Sequence, residues 1–330
     1  MFGTFQIFNK LNLMNLKPHI RTVSFVLLLL MTGMGWTLQA QPKQFSDLEY
    51  SFEVYYQEVG NGQRLAFIDE GEGPTVILIH GLGSYIQAWK QNIPELSKQH
   101  RVIALDLPGF GKSSKDVEEY SIAFFAQTVA DLQDSLGISN AVWVGHSMGG
   151  QIAMQGALNF PEKISKLVLL APAGFEAFTE QEGALMTGFV TPESIKATPD
   201  NMIRLTFKTT FYDFPESARF MADDRIAIRQ AKEFEQYARA YAESVKAMLE
   251  GSVLSELGKI RQPTLIIYGK QDALIPNKNF HPELSTDSVA AIGNDRLPYS
   301  RLKMVDKAGH FVHFEQREIV NEAILNFIEY

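Results

Sequence analysis

Short, continuously apolar runs recur along the chain, and longer stretches with helical periodicity separate them. The runs are TVILIH (75–80), RVIALD (101–106), AVWVG (141–145), KLVLLA (166–171), TLIIYG (264–269) and LKMV (302–305). Unbroken runs rich in β-branched residues are typical of strands that are buried on both faces of a parallel sheet. Strands that alternate with helices predict a doubly wound, mostly parallel α/β sheet.

Two flanking patterns support this fold class. SIAFFAQTVADLQDSLG (121–137) predicts a helix between two of the strands, with Ser121 as its N-cap and Gly137 at its C-terminal end. RLAFIDEGEGP (64–74), upstream of the first run, predicts a leading strand that is followed by a turn.

The interval 175–255 breaks the alternation, because it contains helical stretches and no strong strand pattern. The longest stretch is SARFMADDRIAIRQAKEFEQYARAYAESVKAMLEG (217–251). An all-helical insert between two strands predicts a lid over the C-terminal ends of the strands, where open α/β sheets bind ligands; the alternative is a peripheral decoration. Apolar side chains that could line a pocket under this lid are Phe175, Phe178, Met186, Phe189, Phe207, Phe211 and Phe220.

The N-terminus does not resemble part of this sheet. Residues 1–22 carry three basic residues and no acid, an apolar run follows at 23–31, and a small residue stands at Ala40. This pattern predicts a secretory signal peptide, because the run is shorter than the about 20 apolar residues of a membrane span. We therefore expect an exported, periplasmic or secreted protein. An uncleaved membrane anchor is the alternative, because Leu38 is a mediocre residue for the −3 position.

The predicted organisation is thus a signal peptide at 1–40 and a sheet core in two parts, 41–174 and 256–330, on either side of the lid at 175–255. With 330 residues, of which 45% are hydrophobic, the chain suffices for one large core with an inserted lobe. No stable membrane span is expected after signal cleavage, and the sequence carries no signal for an oligomeric state.

Charge and cysteine content exclude several classes of function. The formal net charge of −8 argues against a nucleic-acid partner, because phosphate binding draws on clustered Lys and Arg. The chain contains no Cys, which excludes disulfides, a thiol nucleophile and a lipid-modified cysteine after the signal peptide.

A candidate nucleophile stands in AVWVGHSMGGQIA (141–153), where Ser147 lies between Gly145 and Gly149 in the motif G-x-S-x-G. The motif follows a strand pattern and precedes a helix pattern, as its chemistry requires. A serine on such a sharp turn takes a strained backbone conformation, and the flanking glycines leave room for the close approach of the chain. We expect Ser147 to be a nucleophile rather than a small residue in a tight turn.

A serine hydroxyl is inert without a base, and the chain has seven histidines. Five lie in the N-terminal segment, in polar connections, at a strand end or in the turn beside Ser147: His19, His80, His100, His146 and His281. In DKAGHFVHFEQ, His310 follows a turn-forming glycine just after a strand, at the sheet edge where Ser147 lies. We therefore predict that His310 is the base, whereas His313 packs or hydrogen-bonds at a helix start.

The base needs an acid that fixes its tautomer and stabilises its cation. Asp272, in IIYGKQDALIP, lies three residues past the glycine that ends a strand. Ser147, Asp272 and His310 then follow one another as nucleophile, acid and base, an order that one large class of hydrolases uses.

The oxyanion that forms during acyl transfer needs two N–H donors. The Met148 N–H follows the nucleophile at a helix N-terminus. HGLGS (80–84) ends a strand and offers the Leu82 N–H as the second donor.

No pattern indicates a cofactor or a metal. FGKSS (110–114) ends like a phosphate-binding loop, but that motif requires a glycine where Asp106 stands. No G-x-G-x-x-G follows a strand, and His310 and His313 are the only close histidine pair, with no acid or cysteine motif to complete a metal site. We expect no bound cofactor and no metal.

Over about residues 50–330 the chain resembles the α/β-hydrolase fold superfamily, in its serine esterase, cofactor-free haloperoxidase-like and C–C hydrolase branches. The matching stretches are VILIHGLGS, VIALDLPGFGKSS, VGHSMGGQIAM, KLVLLAPAGF, TLIIYGKQDALIP and DKAGHFVHFEQ. The resemblance implies a Ser147–His310–Asp272 triad, an oxyanion hole at Leu82 and Met148, and no cofactor. Because Ser147 is not an aspartate, the dehalogenase and epoxide hydrolase branches are disfavoured. The stretch 277–301 is longer and more polar than the usual connection between the acid and the histidine, and predicts an extra loop near the pocket mouth.

These observations predict a serine hydrolase that cleaves a carboxylic ester of a small to medium apolar molecule through an acyl-enzyme. C–C bond hydrolysis of a diketone-type ring-fission product uses the same triad and is the nearest alternative. A thioesterase or acyltransferase is also open. The alternative from another class is a binding protein with this fold, which is disfavoured because such proteins often lack a triad member.

Overall fold

The apolar runs form one eight-stranded sheet in the computed structural model, which describes residues 43–329. The strands are β1 (Tyr55–Val59), β2 (Gln63–Glu70), β3 (Thr75–Ile79), β4 (Arg101–Leu105), β5 (Ala141–His146), β6 (Ile164–Leu170), β7 (Thr264–Gly269) and β8 (Ser300–Val305). Their order is β1-β2-β4-β3-β5-β6-β7-β8. Only the pairs that involve β2 are antiparallel; the six strands from β3 to β8 run parallel. The predicted mostly parallel α/β sheet is confirmed.

Helices cover both faces of the sheet. They are α1 (Ile93–Leu96), α2 (Ile122–Ser135), α3 (Met148–Asn159), α4 (Glu180–Phe189), α5 (Pro192–Ala197), α6 (Asp200–Thr209), α7 (Arg219–Ala227), α8 (Phe234–Glu250), α9 (Thr286–Arg296), α10 (Val312–Glu315) and α11 (Arg317–Glu329). Alternate residues of β3 belong to two separate clusters of buried side chains: Ile77 joins the cluster under α2 and α3, whereas Leu78 joins the cluster under α1 and α11. A strand buried on both faces needs apolar residues at every position, which explains the unbroken runs.

The ends of α2 follow the signals in the sequence. Ser121 is the N-cap, and its hydroxyl accepts a hydrogen bond from Phe124 N at 3.0 Å. Gly137 follows the helix with φ of +67°, a left-handed conformation that favours glycine. The sequence did not predict β1, a short strand with mostly exposed side chains that pairs with β2 at the edge of the sheet.

Five helices, α4 to α8, lie between β6 and β7, and we call residues 180–250 the helical insert. The stretch 217–251 is two helices rather than one, because the chain turns between Ala227 and Phe234. The predicted extra loop over 277–301 is wrong in its second half. Thr286–Arg296 forms α9, whose N-cap Ser285 accepts a hydrogen bond from Ser288 N.

The predicted signal peptide lies outside the described residues. Within residues 43–329, no helix is both long enough and apolar enough to cross a membrane.

Helix α3 packs tightly on the sheet through its small residues, and Gly156 lies against a buried side chain of β5. A methyl group at Gly156 would lie 2.3 Å from the Trp143 ring, whose indole N–H donates to Gln133 Oε1 at 2.9 Å. The ring is fully buried and cannot move aside without losing this bond.

We therefore predict that Gly156→Ala lowers the free energy of unfolding by about 1–3 kcal/mol through overpacking, as measured by urea denaturation. Gly188 in α4 is the matched control, because a methyl group there would meet no atom within 4 Å. Gly188→Ala should leave stability unchanged or raise it by up to about 1 kcal/mol, through helix propensity alone. Equal effects of the two substitutions would contradict this packing.

Candidate active site

Ser147 lies on the turn between β5 and α3 and has φ of 54° and ψ of −119°. This conformation costs a residue with a side chain about 1–3 kcal/mol and persists only where its surroundings enforce it. Ser147 N donates to Leu170 O at 2.9 Å, and Ser147 O accepts from Gly150 N at 2.9 Å and from Ala173 N at 3.0 Å. The turn is thus tied to the end of β6 and to the loop that follows it.

The flanking glycines make this turn possible. A methyl group at Gly145 would lie 2.2 Å from Gly149 O, and one at Gly149 would lie 2.2 Å from Ile79 O. Both clashes are with backbone atoms, so a longer side chain could not be accommodated by rotation. The strained turn and the close approach that the motif predicts are therefore present.

His310 and Asp272 form a buried pair beside this turn. His310 Nδ1 donates to Asp272 Oδ2 at 2.8 Å, and the Asp272 side chain is 0% exposed. Asp272 Oδ1 accepts from Leu274 N at 2.8 Å and from Ile275 N at 3.0 Å. Because a carboxylate can only accept, Nδ1 carries a proton, and in the neutral ring Nε2 is the nitrogen that keeps its lone pair.

The loop that carries His310 is held from the helical insert and from α10. His310 N donates to Thr210 O at 2.8 Å, directly after α6. Gly309 N donates to Glu315 Oε2 at 2.6 Å, and Glu315 Oε1 accepts from Tyr212 N at 2.9 Å and from the next amide of the chain. Sequence reasoning missed Glu315, because a glutamate in a polar stretch gives no sign that its carboxylate binds main-chain N–H groups about a hundred residues away.

Two further histidines stand behind His310. His146 Nε2 donates to His310 O at 3.0 Å, and the His146 ring lies 4.6 Å from the ring of His313. Burial lowers the pKa of His146 well below its ordinary value and lowers the pKa of His313 to about 3, so both are neutral at pH 7. The His313 ring packs 4.4 Å from that of Trp89, at the start of α10, in agreement with the packing role predicted for it.

The loop HGLGS follows β3 and lies beside Ser147. A methyl group at Gly81 would lie 3.0 Å from Ser147 Cβ, so glycine allows the two segments to meet. His80 orders this loop: its Nε2 accepts from Leu107 N at 3.0 Å, and its Nδ1 donates to Gly81 O at 2.8 Å. Burial lowers the pKa of His80 to about 4, which keeps the ring neutral and able to accept.

Asp106, just before the segment that only resembles a phosphate-binding motif, binds the chain two residues after this loop. Its buried carboxylate accepts from Ile86 N at 2.8 Å and from Lys112 N at 2.7 Å. Burial raises the pKa of Asp106 to about 6. A side chain at Gly111 would collide with this carboxylate, which explains the second glycine of PGFGKS.

A cavity of about 600 Å³ opens at the C-terminal edge of the sheet and brings the predicted residues together. Ser147, His310 and Leu82 line it, and Asp272 lies behind His310. Met148 begins α3, so its N–H is among those that a helix leaves without an acceptor of its own, while its side chain is buried in the core. Apolar wall residues include Phe178, Met186, Val190, Ile203, Phe207 and Met248.

Three of the seven apolar side chains suggested as pocket residues line this cavity: Phe178, Met186 and Phe207. The others do not. Phe175 packs on Gly293 in α9, Phe211 stacks on Phe311 at 4.9 Å, and Phe220 packs near Phe314. Phe189 is 75% exposed.

Arg225 in α7 is a second residue that sequence reasoning missed. It lines the cavity, and its guanidinium donates to Gly83 O in the HGLGS loop. Tyr241 in α8 packs against the guanidinium, with 5.5 Å between the Arg225 Cζ and the ring centre. No group of three or more His, Asp or Glu side chains that could hold a metal ion occurs within residues 43–329.

Comparison with known proteins agrees with this geometry. The family model described as the alpha/beta hydrolase fold matches residues 74–316. The chain belongs to the α/β-hydrolase fold family. A probable hydrolytic enzyme from Pseudomonas aeruginosa PAO1 has 25% sequence identity to this α/β hydrolase and a TM-score of 0.77, over 85% of this chain and 95% of that one.

Two other relatives of this α/β hydrolase differ in their named activities. A meta-cleavage product hydrolase from Pseudomonas fluorescens IP01 is 26% identical with a TM-score of 0.69, over 83% of this chain and 97% of that one. The dihydrolipoyllysine-residue acetyltransferase component of the acetoin cleaving system from Pseudomonas putida is 31% identical over 82% of this chain and 68% of its own length. The family is therefore clear, and the reaction varies among its members.

The buried neutral histidines predict a loss of stability in acid. An unfolded histidine takes up a proton near pH 6.5, whereas folded His80 and His313 do so only at about 4 and about 3. The contribution of these neutral histidines to the free energy of unfolding is therefore fully present above about pH 6.5. Below that pH it decreases by up to about 1.4 kcal/mol per pH unit for each such histidine.

The test compares the urea midpoint of the wild type with that of His313→Gln at about pH 7 and about pH 5. The variant should show a smaller decrease in stability between the two values, because one buried histidine no longer titrates. The same decrease in both proteins would contradict the neutral state of His313.

Proposed function

We propose that this α/β hydrolase is a serine hydrolase that cleaves a carboxylic ester through an acyl-enzyme. The observation that carries the proposal is the buried hydrogen bond between Asp272 and His310 in the wall of the cavity that Ser147 also lines. A neutral histidine with its Nδ1 proton fixed by a carboxylate presents Nε2 as a base. A strained serine at a helix N-terminus is the matching nucleophile.

In this mechanism the Ser147 hydroxyl attacks the ester carbonyl while His310 Nε2 takes its proton. Asp272 holds the imidazolium that forms, and the N–H groups of Leu82 and Met148 donate to the oxyanion. The N-terminal dipole of α3 favours the same negative charge. His310 then returns the proton to the leaving alcohol, and a water molecule that His310 activates cleaves the acyl-enzyme.

The substrate is proposed to be small to medium in size and largely apolar, because a cavity of about 600 Å³ with mostly aliphatic and aromatic walls suits such a molecule. Helices α4 and α6 supply part of these walls through Met186 and Ile203. We propose on this basis that the helical insert acts as a lid and selects the substrate.

C–C bond hydrolysis is the second candidate, supported by the likeness to the meta-cleavage product hydrolase. The same three side chains serve both reactions, so the choice rests on the substrate. A screen of p-nitrophenyl esters of graded acyl length, with one vinylogous diketone, separates the two.

We predict that Ser147→Ala lowers kcat/KM for p-nitrophenyl esters by at least about a thousandfold while the protein keeps its wild-type melting temperature. The exposed Ser46 provides the control, and Ser46→Ala should retain full activity. Full activity of Ser147→Ala would exclude the serine mechanism, and cleavage of the diketone alone would favour the second candidate.

We also propose export, on the basis of the basic and apolar pattern of residues 1–40. Expression of the full chain in a Gram-negative host should give a soluble periplasmic product that begins at Gln41. An intact mass that includes residues 1–40, in the membrane fraction, would instead support the uncleaved anchor.

A further inference from the structure

A polar patch interrupts the apolar wall of the cavity on one side of Ser147. Glu176 and Asn277 form it, and both line the cavity. Within the described part of the chain, Glu176 contributes the only carboxylate of the lining, and Arg225 contributes the only guanidinium. The proposed mechanism uses neither residue of the patch.

The topology of the sheet places this patch opposite the HGLGS loop. Strand β5, which leads to Ser147, lies between β3 and β6. The HGLGS loop follows β3, whereas Glu176 follows β6 and Asn277 follows β7, the next strand along. Within the sheet order, the patch therefore follows strands on one side of β5, and the HGLGS loop follows the strand on its other side.

Glu176 is buried and held in place. Its side chain is 6% exposed, and it accepts hydrogen bonds from Asn277 N at 2.9 and 3.1 Å and from His281 Nδ1 at 2.6 Å. The bond to Glu176 raises the pKa of His281, which favours the protonated form of the ring beside this buried side chain. Among residues 43–329, Oε2 accepts only the longer branch of the Asn277 N–H bond, and a carboxylate oxygen can accept more than one donor.

Asn277 adds a donor beside this acceptor. Its Oδ1 accepts from Asn279 N at 3.1 Å, which fixes the orientation of the amide. In the described structure, Nδ2 donates to Met186 Sδ at 3.7 Å, and a thioether is a weak acceptor. The amide N–H therefore has donor capacity left on the cavity side.

We propose that Glu176 and Asn277 form a subsite for a hydroxyl group of the substrate, so that the preferred ester carries an alcohol function away from its scissile bond. A hydroxyl donates one hydrogen bond and accepts others, which matches a carboxylate next to an amide N–H. This inference rests on the proposed ester hydrolysis and narrows its substrate class from plain apolar esters to hydroxylated ones.

The expected difference in kcat/KM between hydroxylated and plain esters follows from the free-energy cost of a hydrogen bond that the plain ester cannot make. A substrate without the hydroxyl displaces water from a buried carboxylate and offers no donor in return, and a hydrogen bond to a charged group is worth enough for a tenfold to hundredfold effect. We expect kcat/KM for a hydroxylated ester to exceed that for its plain counterpart by about tenfold or more.

The experiment measures kcat/KM for two matched pairs of esters. One pair is p-nitrophenyl hexanoate and its ω-hydroxy counterpart, which carries the hydroxyl on the acyl half. The other is butyl butyrate and ω-hydroxybutyl butyrate, which carries it on the alcohol half. The wild type should prefer the hydroxylated member of one pair, and that pair identifies the half of the substrate that reaches the patch.

Three variants distinguish recognition of the substrate hydroxyl from a structural role in holding the loop of Asn277 in place. Glu176→Gln replaces the carboxylate by a neutral, weaker acceptor, and Asn277→Ala removes the amide donor, so each should reduce the preference towards unity. Lys278→Ala is the matched control: it removes the bonds of Lys278 Nζ to Pro282 O and Leu284 O and so loosens the same loop, but it leaves the carboxylate, its partner His281 and the amide, so the preference should persist even if all rates fall. The ratio of the two rates is the readout, since a merely structural role would change both members of a pair alike.

Equal rates for both members of each pair in the wild type would overturn the subsite while leaving the proposed function in place. An unchanged preference in both Glu176→Gln and Asn277→Ala would also overturn it. Failure of the wild type to hydrolyse any ester would overturn the proposed function, and the subsite with it.

Discussion

The backbone of Ser147 is the constraint on which the rest of the site depends. Its φ of 54° is unfavourable for serine, and a hydrogen bond from Ser147 N to the end of β6 and another from α3 to Ser147 O keep it there. Main-chain atoms make the closest approaches to both flanking glycines. Gly145 faces Gly149, Gly149 faces the end of β3, and Gly81 faces the serine itself. The two segments proposed to bind the oxyanion meet at Ser147 because none of these positions carries a side chain.

The proposed base reaches Ser147 from a different part of the chain, and the helical insert helps to hold it. Main-chain groups of residues 210–213, just after α6, bind His310 N and the Glu315 carboxylate, which in turn binds Gly309 N. Arg225 in α7 binds the HGLGS loop on the other side of the nucleophile. The insert thus contacts both the loop of His310 and the HGLGS loop, besides forming part of the cavity wall.

Local signals in the sequence predicted the sheet, helix α2 and the grouping of Ser147, Asp272 and His310 around one cavity. They succeeded because apolar runs, caps and the glycine-flanked serine are properties of adjacent residues. The sequence could not predict the pairing of Glu176 with His281 or of Arg225 with Gly83, because each joins residues more than a hundred positions apart. The polar stretch 277–301 suggested a loop, but polar side chains also suit the exposed face of α9.

The central claim is that Ser147 is a nucleophile activated by His310, and labelling with a fluorophosphonate tests it most directly. Peptide mass spectrometry of the wild-type protein should find one adduct, on Ser147. His310→Ala should label far more slowly, because the hydroxyl then has no base to take its proton. The absence of an adduct, an adduct on another residue, or wild-type labelling of His310→Ala would contradict the account.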